Sequence, residues 1–480
     1  MLTSSHQTLS LTSAIKTISH LLAPSILPVE GSTKAVSFTT NILIVGGAYS
    51  GLSTLKSLKN HFRERCSNPK YSHLLLGDDD SENRPPRRIS ITVIEPRSGL
   101  LNVIGISKSM IDPEFAKTQY CKFQNLKDLS FDKVVSTDKS LIDELSSHDS
   151  SNTSIGTSSD EDDYSTSSTG IGNLEHGIEI NYVHGKVSYL DDKKAQYTLS
   201  NDSTNEKAII DFDYVIMATG RDRSWPTTPL AYNESYFLDE MTKSQLQVEN
   251  NQIISVIGAG AVGIEIASDI KHKYPQKTVN LIHPHDTFPP EPLSLDFKEK
   301  IHQTLSDVGI NIIINSRIKQ ELQNGDLITT ENKIIHSNLN FWCNSHKNNT
   351  SILSSELQQN FVNSKQNIYV NEYLQLAHEG KTVPNFFVVG DLIESPIIKS
   401  AGWAMYMGRQ TANNLVSLIL DSEFIEPFPD LSKMPRGMVV IAGDGKIVSE
   451  LWGEVELNNS NYVEEYKDYC FGKVRATLGV

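Results

Sequence analysis

From Asn41 the chain runs through four successive apolar residues, Ile42-Leu-Ile-Val45, into Gly46-Gly-Ala-Tyr-Ser-Gly51, and then into apolar positions at helical spacing from Leu52 to His61. This order predicts a buried strand, a glycine turn and a helix. A second strand is expected at Ile89 to Ile94, and the polar stretch between, Cys66 to Arg88 with Gly77-Asp-Asp-Asp80 and Pro85-Pro86, reads as an inserted surface loop. Short strands follow at Val183 to Val187 and Gln196 to Leu199, and Tyr214-Val-Ile-Met-Ala-Thr-Gly-Arg221 closes the region. From Gln252 the same order starts again: strand Ile253 to Ile257, turn Gly258-Ala-Gly-Ala-Val-Gly263, helix Ile264 to about Lys273, strand Thr278 to Ile282. Phe297, Ile301 and Leu305 mark a further helix, and Ile310 to Ile314 a strand. The chain then returns to the strand Asn385-Phe-Phe-Val-Val-Gly-Asp391 and a long helix through Leu420. Beyond Phe428 a strand pair, Gly437 to Ala442 and Lys446 to Trp452, flanks the turn Gly443-Asp-Gly445, and a last helix ends the chain.

The pattern defines an α/β chain with two Rossmann-like dinucleotide-binding domains, the first interrupted by the second, and a small α+β C-terminal region. The boundaries are 41–232 and 363–421 for the first domain, 233–362 for the second and 422–480 for the C-terminal region. Residues 1–40 read as a disordered tail, rich in Ser and Thr with Glu30 the sole acid; the absence of Arg separates it from an organellar presequence. A stretch at 146–172, almost wholly Ser, Thr, Asp, Glu and Gly and including Ser158-Ser-Asp-Glu-Asp-Asp163, lacks the apolar area to offset its ordering entropy. With 43 Lys and Arg against 58 Asp and Glu, the formal charge of −15 argues against a general nucleic-acid binder. Cys66, Cys121, Cys343 and Cys470 are scattered with no C-x-x-C pair, which fits a reducing compartment and excludes a redox-disulfide enzyme. Cys121 reads as a buried structural thiol. No apolar run approaches the ~20 residues that span a bilayer.

A G-x-G-x-x-G turn between strand and helix permits a tight turn, close approach of backbone to pyrophosphate and close helix packing. The second copy, Gly258, Gly260 and Gly263, is complete; the first carries Ala48 at its middle position. Glu95 ends the second strand of the first unit, where a carboxylate accepts hydrogen bonds from an adenosine ribose. Its distance from Gly51 exceeds the usual ~20 residues, and the insertion accounts for the excess. The matching position in the second unit is His283. Without the carboxylate, the second unit loses what favours NAD and would repel a 2′-phosphate, so NADH and NADPH both stay open.

Taken with Ala218-Thr-Gly220, Gly390-Asp391, Leu281-Ile-His-Pro-His-Asp286 and Pro289-Pro-Glu-Pro-Leu293, these turns resemble the pyridine-nucleotide flavoprotein superfamily. The likeness is strongest to the apoptosis-inducing-factor-like branch that includes type II NADH dehydrogenases. It covers about Asn41 to Leu420, and Asp468-Tyr-Cys-Phe-Gly-Lys-Val-Arg475 is similar to fungal members. The resemblance implies FAD at the first unit, held by Gly46, Gly47, Ala48, Ser50, Gly51, Glu95, Arg97, Val187, Thr219, Gly220, Gly390, Asp391 and Lys399. It implies NADH or NADPH at the second, held by Gly258, Gly260, Gly263, Glu265 and His283. Two residues are expected to act on the chemistry: Lys399 against the flavin ring and Glu265 in orienting the nicotinamide. Trp403 and Tyr406, at i and i+3 of one helix, serve either the flavin and its acceptor channel or the core.

Relatives close the nicotinamide domain with a second Ala-Thr-Gly-x-x-Pro-Asn-like segment. Here it reads Cys343-Asn-Ser-His-Lys-Asn-Asn349, with Ser345 for the glycine and Asn348 for the proline, which weakens the expectation for that site. The implied activity is hydride transfer from a nicotinamide to FAD and onward electron transfer to a small, quinone-like acceptor. A redox-controlled signalling flavoprotein and a flavin monooxygenase are the alternatives. The expected location is the cytoplasm, with the mitochondrion as alternative and a peripheral membrane contact left open.

Overall fold

The computed structural model describes residues 39–75, 88–126, 128–139, 141–142, 165–168, 177–201, 204–343, 347–434 and 436–479. The first domain opens with β1 (Thr39–Val45) and α1 (Tyr49–Cys66), followed by α2 (Pro69–Leu75), β2 (Arg88–Glu95), β3 (Ile178–Leu190) and β4 (Tyr214–Met217). The second contains α3 (Glu234–Asn250), β5 (Ile253–Ile257), α4 (Ala261–Lys273), β6 (Thr278–Ile282), α5 (Leu295–Asp307), β7 (Asn311–Ile313) and β8 (Leu339–Trp342). The chain returns through α6 (Ser355–Phe361), β9 (Lys381–Val388) and α7 (Ala401–Asp421), and ends in β10 (Gly437–Ala442), β11 (Lys446–Leu451), β12 (Glu454–Leu457) and α8 (Phe471–Leu478).

Strands β9, β4, β1, β2 and β3 lie side by side, all parallel, and the unbroken apolar runs of β1 and β4 at the centre suit strands covered on both faces. Val45 pairs with both Ile94 and Met217, and Met217 with Val388, so these strands end level. Gly46, Glu95, Ala218 and Val389 therefore share one sheet edge, the carboxyl edge at which open α/β sheets bind ligands. The second sheet, β7-β6-β5-β8, repeats the arrangement: Ile257 pairs with Ile282 and Trp342, bringing Gly258, His283 and Cys343 level. One large core underlies the first sheet. A second is shared: Ile254, Val256 and Ile264 of the second domain pack with Met110 and Tyr120 of the first. Along β10 the side chains alternate, so Val440 and Ala442 enter this shared core while Ile441 turns to Tyr469.

The structure corrects several boundaries. Helix α1 continues past His61 to Cys66, because Phe62 and Cys66 extend the buried stripe of Leu52, Leu55 and Leu58 while Arg63 and Arg65 face outward. Part of the expected loop at 66–88 is helix α2, anchored by buried Tyr71 and Leu75 and by the Tyr71 hydroxyl donating to Asp421 Oδ2 at 2.9 Å; residues 76–87 lie outside the described residues. Within 146–172 only 165–168 are described. Rather than being disordered, they form a strand antiparallel to Lys133–Ser136, an edge pairing that needs backbone rather than apolar side chains. The tail falls outside the described residues except Thr39 and Thr40, which begin β1. Return to the first domain precedes residue 363, since Leu353, Leu357 and Phe361 already belong to its core. The C-terminal strand pair gains a third strand, β12, beyond a turn with Trp452 and Gly453 at positive φ. No helix among the described residues is long and apolar enough to cross a membrane.

Helix α7 presses on the start of α1 at Gly408, where an added Cβ would stand 2.5 Å from Ser50 O and 2.8 Å from Thr54 Oγ1. Gly408→Ala should therefore lower stability by about 1–3 kcal/mol, as overpacking does, read as a reduced urea midpoint at unchanged slope.

Candidate active site

The two strand–turn–helix units match contact for contact. Gly46 N donates to Ile94 O at 2.9 Å and Gly258 N to Ile282 O at 2.8 Å, joining each turn to the neighbouring strand. Both glycines have positive φ, 107° and 112°. A Cβ on Gly51 would lie 1.8 Å from Gly46 O, and one on Gly263 equally 1.8 Å from Gly258 O, so each helix packs on its strand at a distance only glycine permits. The first helical bonds are Leu52 N to Ala48 O and Ile264 N to Gly260 O. Ahead of them, the amino ends of α1 and α4 have no side-chain cap, and their amides and dipoles suit an anion. Ala48 is exposed, and a Cβ on Gly260 would meet nothing nearer than Glu291 Oε1 at 4.0 Å, so the mouth of each cradle is clear.

The difference lies at the strand ends. Glu95 is buried and accepts from Gly47 N at 2.7 Å and from Arg97 N at 3.0 Å. Burial raises its carboxyl, and the Arg97 charge and the two amides pull it back. His283 takes the same place in the second unit, its Nδ1 accepting from Ala259 N at 3.3 Å. Burial, aided by the charges of His285 and Lys298, lowers it to about 4, so the ring is neutral at physiological pH. The first unit thus ends in an acid and the second in a neutral imidazole. Val187 stands three residues beyond His184, the partner of Glu95 on β3, and is buried in the first core, paired with Tyr197.

Asp391, next to Gly390 at φ 80°, lies level with these turns and pairs with Arg221 (Nε to Oδ2, 2.8 Å). Gly390 abuts Ser50, whose Oγ would stand 3.1 Å from an added Cβ. Gly220, at φ 60°, opens on free space. Thr219 is tied to the returning segment: its Oγ1 donates to Asn349 O, and Asn349 Nδ2 donates to Thr219 O. Lys399 Nζ donates to Ile393 O at 2.6 Å; burial lowers the amine to about 8 while Asp391 opposes the shift. Lys399, Asp391 and Arg221 therefore form one cluster at the first cradle. Of the departing segment, Ser345 lies outside the described residues, while Asn348 is buried and donates to Gln366 O and Asn367 Oδ1.

Glu265 lies one turn into α4, buried, its Oε1 accepting from Ile441 N at 3.5 Å. Trp403, Tyr406 and Phe428 form an aromatic cluster on the rim of the first core. Sequence reasoning missed Arg221, Arg223 and Tyr469. The alternation Arg221-Asp-Arg223 directly after the Ala-Thr-Gly turn was the one available signal; Tyr469, whose hydroxyl donates to both oxygens of Asp269 at 2.8 Å, had none.

Two matching dinucleotide cradles, one on each parallel sheet, define an oxidoreductase of the class that pairs a flavin with a nicotinamide. A family model for pyridine nucleotide-disulphide oxidoreductases matches residues 126–408, and the chain belongs to that family. It is 24% identical over 436 residues to "Oxidoreductase OXR1" of Ajellomyces capsulatus, covering 87% of this chain and 83% of that protein. It is 26% identical over 251 residues to "Ferroptosis suppressor protein 1" of Mus musculus (49% of this chain, 63% of that one). With "Apoptosis-inducing factor homolog B" of Dictyostelium discoideum it shares 21% identity over 401 residues, 78% of this chain and 81% of that protein. In fold it is similar to a NAD-dependent persulfide reductase from A. fulgidus (TM-score 0.53, 17% identity, 86% of this chain and 64% of that one). A water-forming NADH oxidase from Lactobacillus brevis matches with the same TM-score, 0.53, at 14% identity over 86% and 75% of the two chains.

Burial and the neighbouring Asp269 raise the Glu265 carboxyl from 4.5 to about 8. The folded state therefore holds a proton that the unfolded chain releases, and stability falls as pH rises from about 4.5 to about 8, then levels. Glu265→Gln mimics the protonated form. Its urea midpoint should match the parent at pH near the ordinary carboxylate range and exceed it increasingly towards pH 8; parallel midpoints across that range would contradict the assignment.

Proposed function

We propose that the chain is an FAD-dependent NAD(P)H oxidoreductase that passes electrons to a small, quinone-like acceptor. The observation that carries this reading is the pair of matching cradles with unlike strand ends. Glu95 suits the ribose hydroxyls of a resident FAD, and neutral His283 suits a nicotinamide dinucleotide with or without a 2′-phosphate. FAD would rest its pyrophosphate on Gly46, Gly47, Ala48, Ser50 and Gly51, with Arg97, Val187, Thr219 and Gly220 along its length and Asp391 at the ribityl chain. NADH or NADPH would rest on Gly258, Gly260 and Gly263. When bound, the flavin would supply the two-electron redox chemistry that links a reduced nicotinamide to the acceptor.

Glu265 and Lys399 are assigned to that transfer. Protonated at neutral pH, Glu265 is a donor for a carboxamide oxygen, the polar handle of a nicotinamide. Lys399 supplies a cation that steadies added negative charge at the flavin. A small cleft of mixed character, lined by Ile397, Ile398, Trp403, Leu431 and Met434 together with Ser432 and Arg436, adjoins Lys399 in sequence and is the entry we assign to the acceptor.

Purified protein should carry FAD, and anaerobic mixing with NADH or NADPH should bleach its visible absorbance within the time of a stopped-flow trace. Glu95→Ala should retain flavin poorly. Glu265→Ala should keep the flavin and slow bleaching by about 10- to 100-fold, the usual cost of a misplaced hydride donor. Protein that neither carries nor rebinds FAD would refute the reading, and a flavin reduced only over minutes would favour the signalling alternative.

A further inference from the structure

Arg223 belongs to the first domain but lies within the field of both cradles. Its backbone is fixed by Arg223 N donating to Thr228 Oγ1 at 2.8 Å, beside the turn that carries Arg221. Burial lowers its guanidinium and Arg221 adds to the effect, while Asp391, Cys343 and Glu291 oppose it; Glu265 senses the same charge. Asp391 is on the flavin side and already has Arg221 at 2.8 Å. The others flank the second glycine turn. Cys343 Cβ stands 3.4 Å from the Cβ position of Gly263, and Glu291 Oε1 4.0 Å from that of Gly260. Glu265 is on the helix that the turn opens.

Among the described residues, no carboxylate lies within ion-pairing distance of Arg223 and its guanidinium makes no hydrogen bond. Arg221, two positions away, is paired. Half-buried and unable to relieve its charge by losing a proton, the guanidinium is free to pair with an incoming anion. The strand that leads into it, Arg221–Asp222, pairs with Lys347–Asn348 on the segment that follows Cys343, and Cys343 stands against the second glycine turn, ahead of the uncapped amino end of α4.

We propose that Arg223 is the counter-cation for the pyrophosphate of the nicotinamide dinucleotide, reaching from the flavin domain to clamp it against the amino end of α4. This rests on the oxidoreductase reading for the identity of the ligand. The guanidinium's planar fork matches two phosphate oxygens at once, which a point charge does not. Because the clamp comes from the opposite domain, it also fixes the dinucleotide relative to the flavin cradle. Glu291 supplies the opposing field: Arg221, Lys298 and Arg223 hold its carboxyl down against the rise that burial imposes.

The test is calorimetric titration of the flavin-loaded protein with ADP-ribose, which carries the pyrophosphate but no nicotinamide. Arg223→Met should weaken ADP-ribose, NADH and NADPH alike by about 10- to 100-fold, with bound flavin retained, and Arg223→Lys should recover part of the loss. Flavin reduction by N-benzyl dihydronicotinamide, a hydride donor without phosphate, should stay within about twofold of the parent, since only binding has been removed. Unchanged ADP-ribose affinity in Arg223→Met overturns the proposal. Equal slowing with the phosphate-free donor also overturns it and assigns Arg223 to the flavin. ADP-ribose binding that depends on Arg223, in a protein that neither NADH nor NADPH reduces, would uphold the clamp and refute the oxidoreductase reading instead.

Discussion

At the tip of each glycine turn, one backbone amide is captured by the side chain that ends the neighbouring strand: Gly47 N by Glu95, Ala259 N by His283. That bond orients the turn, and through it the helix whose free amides form the cradle. It depends on register, since Glu95 and His283 reach their amides only because Val45 is level with Ile94 and Ile257 with Ile282. A slip of one residue in either pair would turn the acceptor to the other face. The same bond sets what each cradle presents next. A carboxylate keeps lone pairs for ribose hydroxyls, whereas an imidazole held neutral by burial brings no charge that would repel a phosphate.

The C-terminal region completes the architecture by reading one stripe of α4. Glu265, Ser268, Asp269 and His272 recur at i, i+3, i+4 and i+7, and each meets a C-terminal group: Ile441 N, Gly443 N, the Tyr469 hydroxyl and Asp444 respectively. Tyr469 reaches further. Its carbonyl accepts from Asn102 Nδ2 at 3.1 Å, and Asn102 Oδ1 accepts from the hydroxyl of Tyr49, the first residue of α1. A continuous hydrogen-bonded path thus links the amino end of the first cradle's helix to the helix of the second. Tyr469 and Cys470 both adopt the left-handed conformation, uncommon for side chains of their size, and contacts on both sides hold them there.

What the amino-acid sequence revealed is what is local. Both glycine turns, Glu95, His283, Gly220 and Asp391 each adjoin a recognisable strand or helix, and the insertion of one domain in the other followed from the repeated pattern. The contacts between domains were not legible, because their partners are distant: Tyr469 and Asp269 are 200 positions apart, Asn102 and Tyr469 367. Edge pairing at Ser165–Ser168 escaped notice for another reason, since a strand satisfied by backbone bonds needs no apolar pattern. Helix α2 was hidden because Tyr71 and Leu75, which anchor it, are set within a polar stretch with no long apolar stripe.

Membership in a family named for disulphides raises the question of how electrons leave a chain with no paired cysteines in its sequence. Burial raises all four thiols, Cys343 and Cys470 to about 12, so thiolate is scarce where a relay would need it. Cys343, level with Gly258 and His283, sits at the carboxyl edge of the second sheet, whereas Asp391 and Lys399 belong to the first domain. The fold therefore keeps the family's two cradles while withholding its second redox centre. On the reading proposed above, the flavin has to meet its acceptor directly. That places the selectivity of the reaction in the shape of the cleft beside Trp403 and Met434 rather than in a thiol potential.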